Sequence, residues 1–213
     1  MRFASVVLDV DSTLCAVEGI DWLARRRGPE VEQRVRELTD RAMAGEIALD
    51  DVYAERLALV APTEADVAAL AGEYERTLAP GAAATVSALL AAGLRVVLVS
   101  GGLREAILPV ARRIGVADGD VRAVGVRFDD AGGFTGHDVT SPLARQDGKR
   151  EVVAALRLPA PVLAAGDGST DLAMRGVVRT FAAFTGVARR EAVVAAADVE
   201  VTSFHQLREL ALG

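Results

Sequence analysis

The sequence predicts an α/β fold in which a doubly wound, mostly parallel sheet carries a small inserted helical cap. Two features of the chain support this fold class. After residue 79, short apolar segments alternate with helical ones, which is typical of parallel strands joined by helices. Residues 19–79, which follow the first apolar segment closely, show only helical periodicity. We therefore expect an α/β core of residues 1–14 and 80–213, with residues 15–79 inserted as a helical cap.

The first predicted strand is Val6–Asp9, and the predicted cap helices follow it. Apolar residues recur at i, i+3 and i+4 in the segments DWLARRRG, VEQRVRELTDRAMAGEI, LDDVYAERLALV and TEADVAALAGEYERTLA. Glycine and proline residues separate these segments, as expected between helices. Thr63, followed three residues later by Asp66, predicts a helix N-cap with a capping-box acid.

From Pro80-Gly81 onwards, helices and strands alternate. The predicted helices are Ala82–Ala92, a segment ending at Ile114, Lys149–Leu156, ARREAVVAA and FHQLRELAL, and the predicted strands are RVVLVS, Val121–Phe128, PVLAA, TFAAF and VEVT. The segment Asp129–Gly133 predicts a hairpin turn. In an open α/β sheet, ligands bind at the carboxyl ends of the strands, so the residues that follow each strand are the candidates for function.

Composition limits the class of protein. The chain has 213 residues, of which 51% are apolar and 25% charged, as in an ordinary globular protein with a large core. The net charge of −6 argues against nucleic acid or an anionic membrane as the main partner. Cys15, the only cysteine, cannot form an internal disulfide, which favours a reducing compartment. Asp9 interrupts the short apolar stretch after Arg2, so no secretory signal is predicted. We expect a cytoplasmic monomer or homodimer.

Lysine is used only once in this chain. Lys149 is the only lysine, and the other 23 of the 24 basic residues are arginines. Lysine is a compact, mobile point charge, whereas arginine is a planar fork, so the two are not interchangeable. The single lysine either marks a place that needs lysine chemistry or reflects chance in an arginine-rich composition.

Acidic side chains follow two of the predicted strands. Asp9 and Asp11 end the first strand, where side chains two positions apart share a face and like charges repel. Asp167 follows the strand PVLAA. Three carboxylates at one sheet edge suit a hard dication that prefers oxygen ligands, so Mg²⁺ is the expected cofactor. Taken alone, an Asp-x-Asp pair is more often only a solvated strand end.

Further groups at the same edge suit a phosphate. Ser100, Gly101 and Gly102 follow the strand RVVLV and would offer hydroxyl and N–H donors at a helix start, and Lys149 would add a positive charge. With a dication, these groups would stabilise a transferring phosphoryl group. One carboxylate would then attack that group while a second acid moves the protons. Taken alone, the Ser-Gly-Gly and Gly-Asp-Gly segments are common turns.

Four segments together resemble a known family. DVDST, VSGG, Lys149 and GDGSTD are similar, in this order, to the four motifs of the haloacid dehalogenase superfamily, which implies its Rossmann-like core. The cap segments VEGID, RAMAGE and ERLALV resemble the phosphoserine phosphatase branch of that family, as do the later segments GHDVTSP, DGK and FTGVARREAV. The resemblance covers essentially the whole chain.

The resemblance implies roles for the matched core residues. Asp9 would be the nucleophile, and Asp11 the general acid and base. Asp9, Asp167 and the backbone carbonyl of Asp11 would bind Mg²⁺. The phosphoryl group would be held by Ser100, Gly101 and Lys149, and Asp171 would support Lys149 or the metal site.

The resemblance also implies that the cap recognises the substrate. Glu18 would bind an ammonium group, Arg56 a carboxylate in a bidentate manner, and Met43 would form an apolar wall, with Thr170 beside the substrate. Each cap residue also has a simpler explanation. Glu18 would suit the positive end of a helix dipole, Arg56 a solvated helix face, and Met43 a packed core.

The function implied by the resemblance is hydrolysis of O-phospho-L-serine to L-serine and phosphate through an aspartyl-phosphate, the final step of serine biosynthesis. Two alternatives keep the same fold. One is hydrolysis of another small phosphomonoester, such as a phosphothreonine-like or phosphohomoserine-like compound, or phosphoryl transfer to an alcohol. The other is a sensor that binds a phosphorylated metabolite without turnover, which the second acid, Asp11, argues against.

Overall fold

A computed structural model describes the backbone of residues 2–43, 47 and 49–213 and, apart from residues 42, 43 and 49–51, their side chains. The strands in this part of the chain are β1 (Ser5–Leu8), β2 (Arg95–Leu103), β3 (Val121–Val124), β4 (Val126–Phe128), β5 (Phe134–His137), β6 (Val162–Gly166), β7 (Thr180–Phe184) and β8 (Val199–Val201). The main sheet has the order β3-β2-β1-β6-β7-β8, and all its neighbouring strands are parallel. The predicted mostly parallel, doubly wound sheet is therefore confirmed.

Helices connect and flank these strands. They are α1 (Gly19–Arg27), α2 (Pro29–Met43), α3 (Leu49–Val60), α4 (Glu64–Arg76), α5 (Ala82–Ala91), α6 (Arg104–Arg113), α7 (Gly148–Leu156), α8 (Ser169–Leu172), α9 (Glu191–Ala196) and α10 (Phe204–Leu212). Helices α1 to α4 lie between β1 and α5 in the chain, and α4 packs against α6. In the described residues, no helix is both long and apolar enough to cross a membrane.

The central strands are apolar because both of their faces are buried. All four residues of β1 and all five of β6 are buried, and the last four residues of β7 are buried as well. Uninterrupted apolar runs are typical of parallel strands covered on both sides. Polar side chains therefore collect where the strands end, at the edge of the sheet.

Two predicted boundaries were wrong. RVVLVS was expected to end at Ser100, before Gly101-Gly102-Leu103, but β2 continues to Leu103, with a shift in its pairing with β3 between Val99 and Leu103. The two glycines lie inside this irregular strand end, and α6 begins only at Arg104. The predicted strand Val121–Phe128 is two strands, since the chain leaves the main sheet at Gly125 and β4 pairs with β5 in an antiparallel hairpin.

The N-cap predicted at Thr63 is confirmed. The Asp66 N–H donates to the Thr63 hydroxyl at 3.2 Å, and the Thr63 N–H donates to the Asp66 carboxylate at 3.0 Å. This reciprocal pair satisfies two backbone donors that an isolated helix start would leave unpaired. It defines where α4 begins, and α4 carries one of the side chains that reach the site described below.

Candidate active site

The candidate site lies where the strand order reverses. Strand β1 is central, with β2 on one side and β6 on the other, so the sheet has a topological switch point at the carboxyl ends of β1 and β6. Crevices of this kind bind ligands in open α/β sheets. Asp9 and Asp11 follow β1, and Asp167 follows β6.

Most of the predicted site residues share one pocket of about 330 Å³ at this edge. The predicted residues that line it are Asp9, Asp11, Glu18, Arg56, Gly101, Lys149, Asp167, Thr170 and Asp171. They come from five separate stretches of the chain. The structure therefore brings together the core acids, the lysine and two cap residues around a cavity large enough for a small metabolite.

Lys149 is buried between two carboxylates. Its Nζ donates to Asp9 Oδ1 at 2.5 Å and to Asp171 Oδ1 at 2.6 Å. Burial alone would lower the pKa of the Lys149 amine, but the charges of Asp171 and Asp9 outweigh burial and raise it above its ordinary value. Lys149 is therefore a permanent cation in the site. Burial, together with the charge of Asp171, raises the pKa of Asp9 well above its ordinary value.

The donor set fits a hard dication. Asp9, Asp167 and Asp171 each offer a carboxylate oxygen, and these oxygens lie within 4.8 Å of one another. All three side chains are buried, and burial raises the pKa of Asp167 as well as that of Asp9. Clustered buried carboxylates are costly unless a cation compensates them, and Mg²⁺ prefers oxygen ligands of this kind.

Asp11 is held apart from the other carboxylates. Its Oδ1 accepts hydrogen bonds from the Gly19 N–H at 2.9 Å and from the Tyr74 hydroxyl at 2.7 Å. Burial raises the pKa of Asp11, and these two hydrogen bonds oppose the rise. The Asp11 side chain thus has two hydrogen-bond partners of its own. The family resemblance assigns a metal only to the backbone carbonyl of Asp11.

The predicted phosphate-binding residues occupy the irregular end of β2. Ser100 is buried, and its hydroxyl accepts a hydrogen bond from the Gly102 N–H at 2.9 Å. Gly101 lines the pocket, and its carbonyl accepts a hydrogen bond from the Tyr53 hydroxyl at 2.8 Å. Ser100 therefore supports the backbone of the glycine pair, but it is not among the residues that line the pocket.

On the cap side, Glu18 and Arg56 already have partners. The Ser12 hydroxyl donates to Glu18 Oε1 at 2.7 Å, and Arg56 Nη2 donates to Asp21 Oδ1 at 2.5 Å. Arg56 Nε is buried and has no hydrogen-bond partner in the described part of the chain. Burial, together with the charge of Asp11, raises the pKa of Glu18 to about 7.

Thr170 and Met43 complete the set of predicted residues. Thr170 lies in α8 and lines the pocket. Met43, the predicted apolar wall, has a side chain outside the described residues.

Two residues that contact the predicted site, Arg190 and Tyr74, were not predicted from the sequence. Arg190 Nε donates to Asp167 Oδ2 at 2.8 Å, and its Nη2 reaches Glu18 Oε1 at 3.2 Å, so one guanidinium joins the core acids to the cap. Tyr74 donates to Asp11 from a position 63 residues away in the chain. Arg190 lies in the segment FTGVARREAV, whose only signal is its resemblance to the family, and no local signal marks Tyr74.

Comparison with known proteins identifies the family. The family model for haloacid dehalogenase-like hydrolases matches residues 6–175, which include the end of β1, the cap helices, Lys149 and the acids after β6. The chain belongs to this family. The predicted membership is thereby confirmed, and the pocket acids stand in a haloacid dehalogenase-like hydrolase, which makes the chain a hydrolase.

The chain is similar to proteins from several organisms. The chain is 37% identical over 208 residues to the chloroplastic phosphoserine phosphatase of Arabidopsis thaliana, covering 95% of this chain and 70% of the relative. It is 35% identical over 206 residues to the phosphoserine phosphatase of Rattus norvegicus, covering 95% and 91%. The crystal structure of a phosphoserine phosphohydrolase-like protein from Francisella tularensis superposes with a TM-score of 0.84 at 25% identity, covering 97% and 98%.

Proposed function

We propose that this hydrolase is a Mg²⁺-dependent phosphoserine phosphatase that converts O-phospho-L-serine and water to L-serine and phosphate. The observation that carries the proposal is the pocket itself. Two acids after β1 and a buried lysine line its core side, while a carboxylate and an arginine, Glu18 and Arg56, line its cap side. Relatives named phosphoserine phosphatase match the chain over 95% of its length, which supports the same substrate.

In the first half of the reaction, we assign the attack to Asp9. A carboxylate oxygen of Asp9 forms a bond to phosphorus, and the bond between phosphorus and the serine oxygen breaks. Asp11 gives a proton to the departing serine oxygen, so that L-serine leaves as the neutral alcohol. Lys149 stays protonated and balances charge on the phosphoryl oxygens, and Ser100 and Gly101 help to hold the phosphoryl group.

In the second half, Asp11 acts as the base. It removes a proton from a water molecule, whose oxygen attacks phosphorus, and the bond between phosphorus and Asp9 breaks. Phosphate leaves, and Asp11 is again protonated for the next cycle. Two acids with separate tasks explain why the chain ends β1 with a pair of aspartates.

A divalent ion would be held by Asp9, Asp167 and the backbone carbonyl of Asp11, with Asp171 supporting Lys149. When bound, Mg²⁺ supplies charge stabilisation for the phosphoryl oxygens and offsets the repulsion among the acids. Every proton in the scheme above is carried by Asp11 and not by the metal site.

We assign substrate choice to residues 15–79, acting as a cap over a core of residues 1–14 and 80–213. Arg56 would bind the substrate carboxylate through donors that include its unpaired Nε, and Glu18 would bind the ammonium group. Thr170 would contact the substrate from α8, and Met43 would form an apolar wall. A cation and an anion on one side of the pocket suit a zwitterionic amino acid.

The test compares substrates that differ in one group. Wild-type protein is assayed with phosphoserine and with phosphoethanolamine, which lacks the carboxylate, in the presence and absence of Mg²⁺. We expect a strong preference for phosphoserine that needs Mg²⁺. Arg56→Ala should lower kcat/KM for phosphoserine by about 100-fold and leave the value for phosphoethanolamine nearly unchanged, since a charged hydrogen bond contributes about 2–3 kcal/mol.

Two results would overturn the assignment. Equal losses for both substrates in Arg56→Ala would remove the reason for an amino-acid substrate. Faster turnover of another phosphomonoester, or phosphate transfer to an added alcohol in place of water, would indicate one of the alternative reactions. Asp9→Asn serves as the inactive control with every substrate. A cytoplasmic location and a monomeric or dimeric state stay predictions.

A further inference from the structure

The hydroxyl of Tyr74 reaches the proposed general acid from the cap. Tyr74 lies in α4 and is completely buried, and its hydroxyl donates to Asp11 Oδ1 at 2.7 Å. Buried tyrosine hydroxyls need a partner, but the partner here is a carboxylate to which the reaction assigns proton transfer. The contact therefore joins a cap helix to the proton chemistry of the core.

Two glycines create the space for this hydroxyl. A Cβ at position 19 would overlap the Tyr74 hydroxyl, and a Cβ at Gly102 would lie 3.1 Å from it. Gly19 has a second role, because its N–H donates to the same Asp11 oxygen at 2.9 Å. The pocket wall is thus built so that a phenol and a backbone N–H meet one carboxylate oxygen.

The other oxygen of Asp11 has a different environment. A Cβ at Gly102 would lie 2.8 Å from Asp11 Oδ2, so Oδ2 is beside a residue that lines the pocket. No hydrogen bond reaches Oδ2 from the residues that the structure describes. One carboxylate oxygen is held by two donors, and the other is left to exchange a proton with the substrate.

We propose that Tyr74 is a positioning residue for the reaction, which holds Oδ1 of Asp11 so that Oδ2 faces the departing oxygen of the substrate. The inference rests on the proposed phosphatase function and adds a residue that the family motifs do not contain. Helix α4 packs against the core helix α6, and this contact gives Tyr74 a rigid base from which to orient Asp11.

This role predicts a dependence on the leaving group. An alkyl phosphate such as phosphoserine releases an alkoxide that must be protonated, whereas p-nitrophenyl phosphate releases a phenolate that leaves without a proton. Because kcat/KM includes only the steps up to departure of the leaving group, it reports on the proton that Asp11 donates and not on the later attack by water. Removal of the Tyr74 hydroxyl should therefore affect the alkyl ester selectively.

The test uses Tyr74→Phe, which keeps the buried ring. We expect kcat/KM for phosphoserine to fall about tenfold to 100-fold, a part of the range typical of general acid catalysis, with the value for p-nitrophenyl phosphate within about threefold of wild type. Thr85→Val is the matched control, because it removes another buried hydroxyl, which donates to the Phe204 carbonyl at 2.9 Å away from the pocket. It should leave the ratio of the two values unchanged.

A second variant tests the same geometry from the other side. Gly19→Ala should displace the Tyr74 hydroxyl and lower the phosphoserine value selectively, and it should add little to the effect of Tyr74→Phe in the double variant. Thermal melting of each variant shows whether the fold is kept.

Equal losses for both esters in Tyr74→Phe, or no loss for phosphoserine, would overturn the role of Tyr74. If wild-type protein does not hydrolyse phosphoserine, the proposed function fails. The effect of Tyr74→Phe on kcat/KM is then compared between 2-glycerophosphate, as the alkyl ester, and p-nitrophenyl phosphate.

Discussion

The two walls of the pocket hold their charges in different ways. On the core wall, the side chains of Lys149, Asp9 and Asp171 are only 6%, 5% and 2% exposed. On the cap side, the ion pair of Arg190 with Glu18 joins side chains that are 43% and 44% exposed. The core wall is a closed network, whereas this ion pair at the cap side is partly open to water, beside an Arg56 side chain that is only 18% exposed.

This difference matches two tasks. Buried charges that balance one another are rigid and strongly coupled, which suits a phosphoryl group that must be held in one geometry. Exposed ion pairs contribute little free energy, so a substrate can replace them at low cost. This contrast agrees with the proposal that the core residues carry out the chemistry and the cap residues select the substrate.

The largest effect is expected from breaking the core wall. Lys149→Met leaves Asp9 and Asp171 buried without their cation, and loss of one partner of a buried ion pair costs about 3–5 kcal/mol of unfolding free energy. Arg112→Met is the control, because Arg112 pairs with Asp118 at an exposed site, where loss of an ion pair has little effect on stability. Denaturant unfolding without metal measures both. Similar losses in the two variants would contradict the distinction between the walls.

A smaller effect is expected at Arg190, which connects the walls. Its guanidinium pairs with Asp167, a proposed metal ligand, so metal binding must compete with this ion pair. Arg190→Gln should therefore bind Mg²⁺ more tightly, by about threefold to tenfold, in a calorimetric titration without substrate.

The neighbouring residue offers a matched control for that titration. Arg189 pairs with Glu191 and Glu200, so Arg189→Gln should leave Mg²⁺ affinity unchanged. Weaker binding in Arg190→Gln would mean that Arg190 holds Asp167 in place for the metal, and that it belongs to the closed network.

The smallest effect is expected in the cap away from the pocket. Burial would raise the pKa of Asp66, but hydrogen bonds from Thr63 outweigh burial and lower it below its ordinary value. Asp66→Asn should cost about 1 kcal/mol of unfolding free energy near neutral pH. A lowered folded-state pKa means that this stabilisation is present above the unfolded pKa, and it is lost as pH falls through the folded pKa.

Thermal melts from pH 7 down to acid measure this effect, with Asp40→Asn as the control, since Asp40 is an exposed acid of the same cap. The ratio of phosphoserine to phosphoethanolamine turnover should stay as in wild type. A change in that ratio would mean that stability and specificity of the cap are not separable.

Much of the fold was predictable because its signals are local. Apolar runs such as SVVL and VLAAG are long enough to define buried strands, and Thr63 with Asp66 defines a helix start within four residues. The end of β2 was not predictable. The glycines that usually begin a turn here continue an irregular strand, and its pairing with β3 depends on a segment about twenty residues later.

The amino-acid sequence by itself determined the alternation of strands and helices, the acids at the strand ends and the single lysine among them. These follow from periodicity and residue type, which act between near neighbours in the chain. Only the tertiary structure decided that Tyr74 and Gly19 hold one oxygen of Asp11, and that Arg190 bridges Asp167 and Glu18. Tyr74 lies 63 residues from Asp11 in the chain, and Arg190 lies 23 residues from Asp167 and 172 from Glu18, so packing of helices against the sheet brings them together.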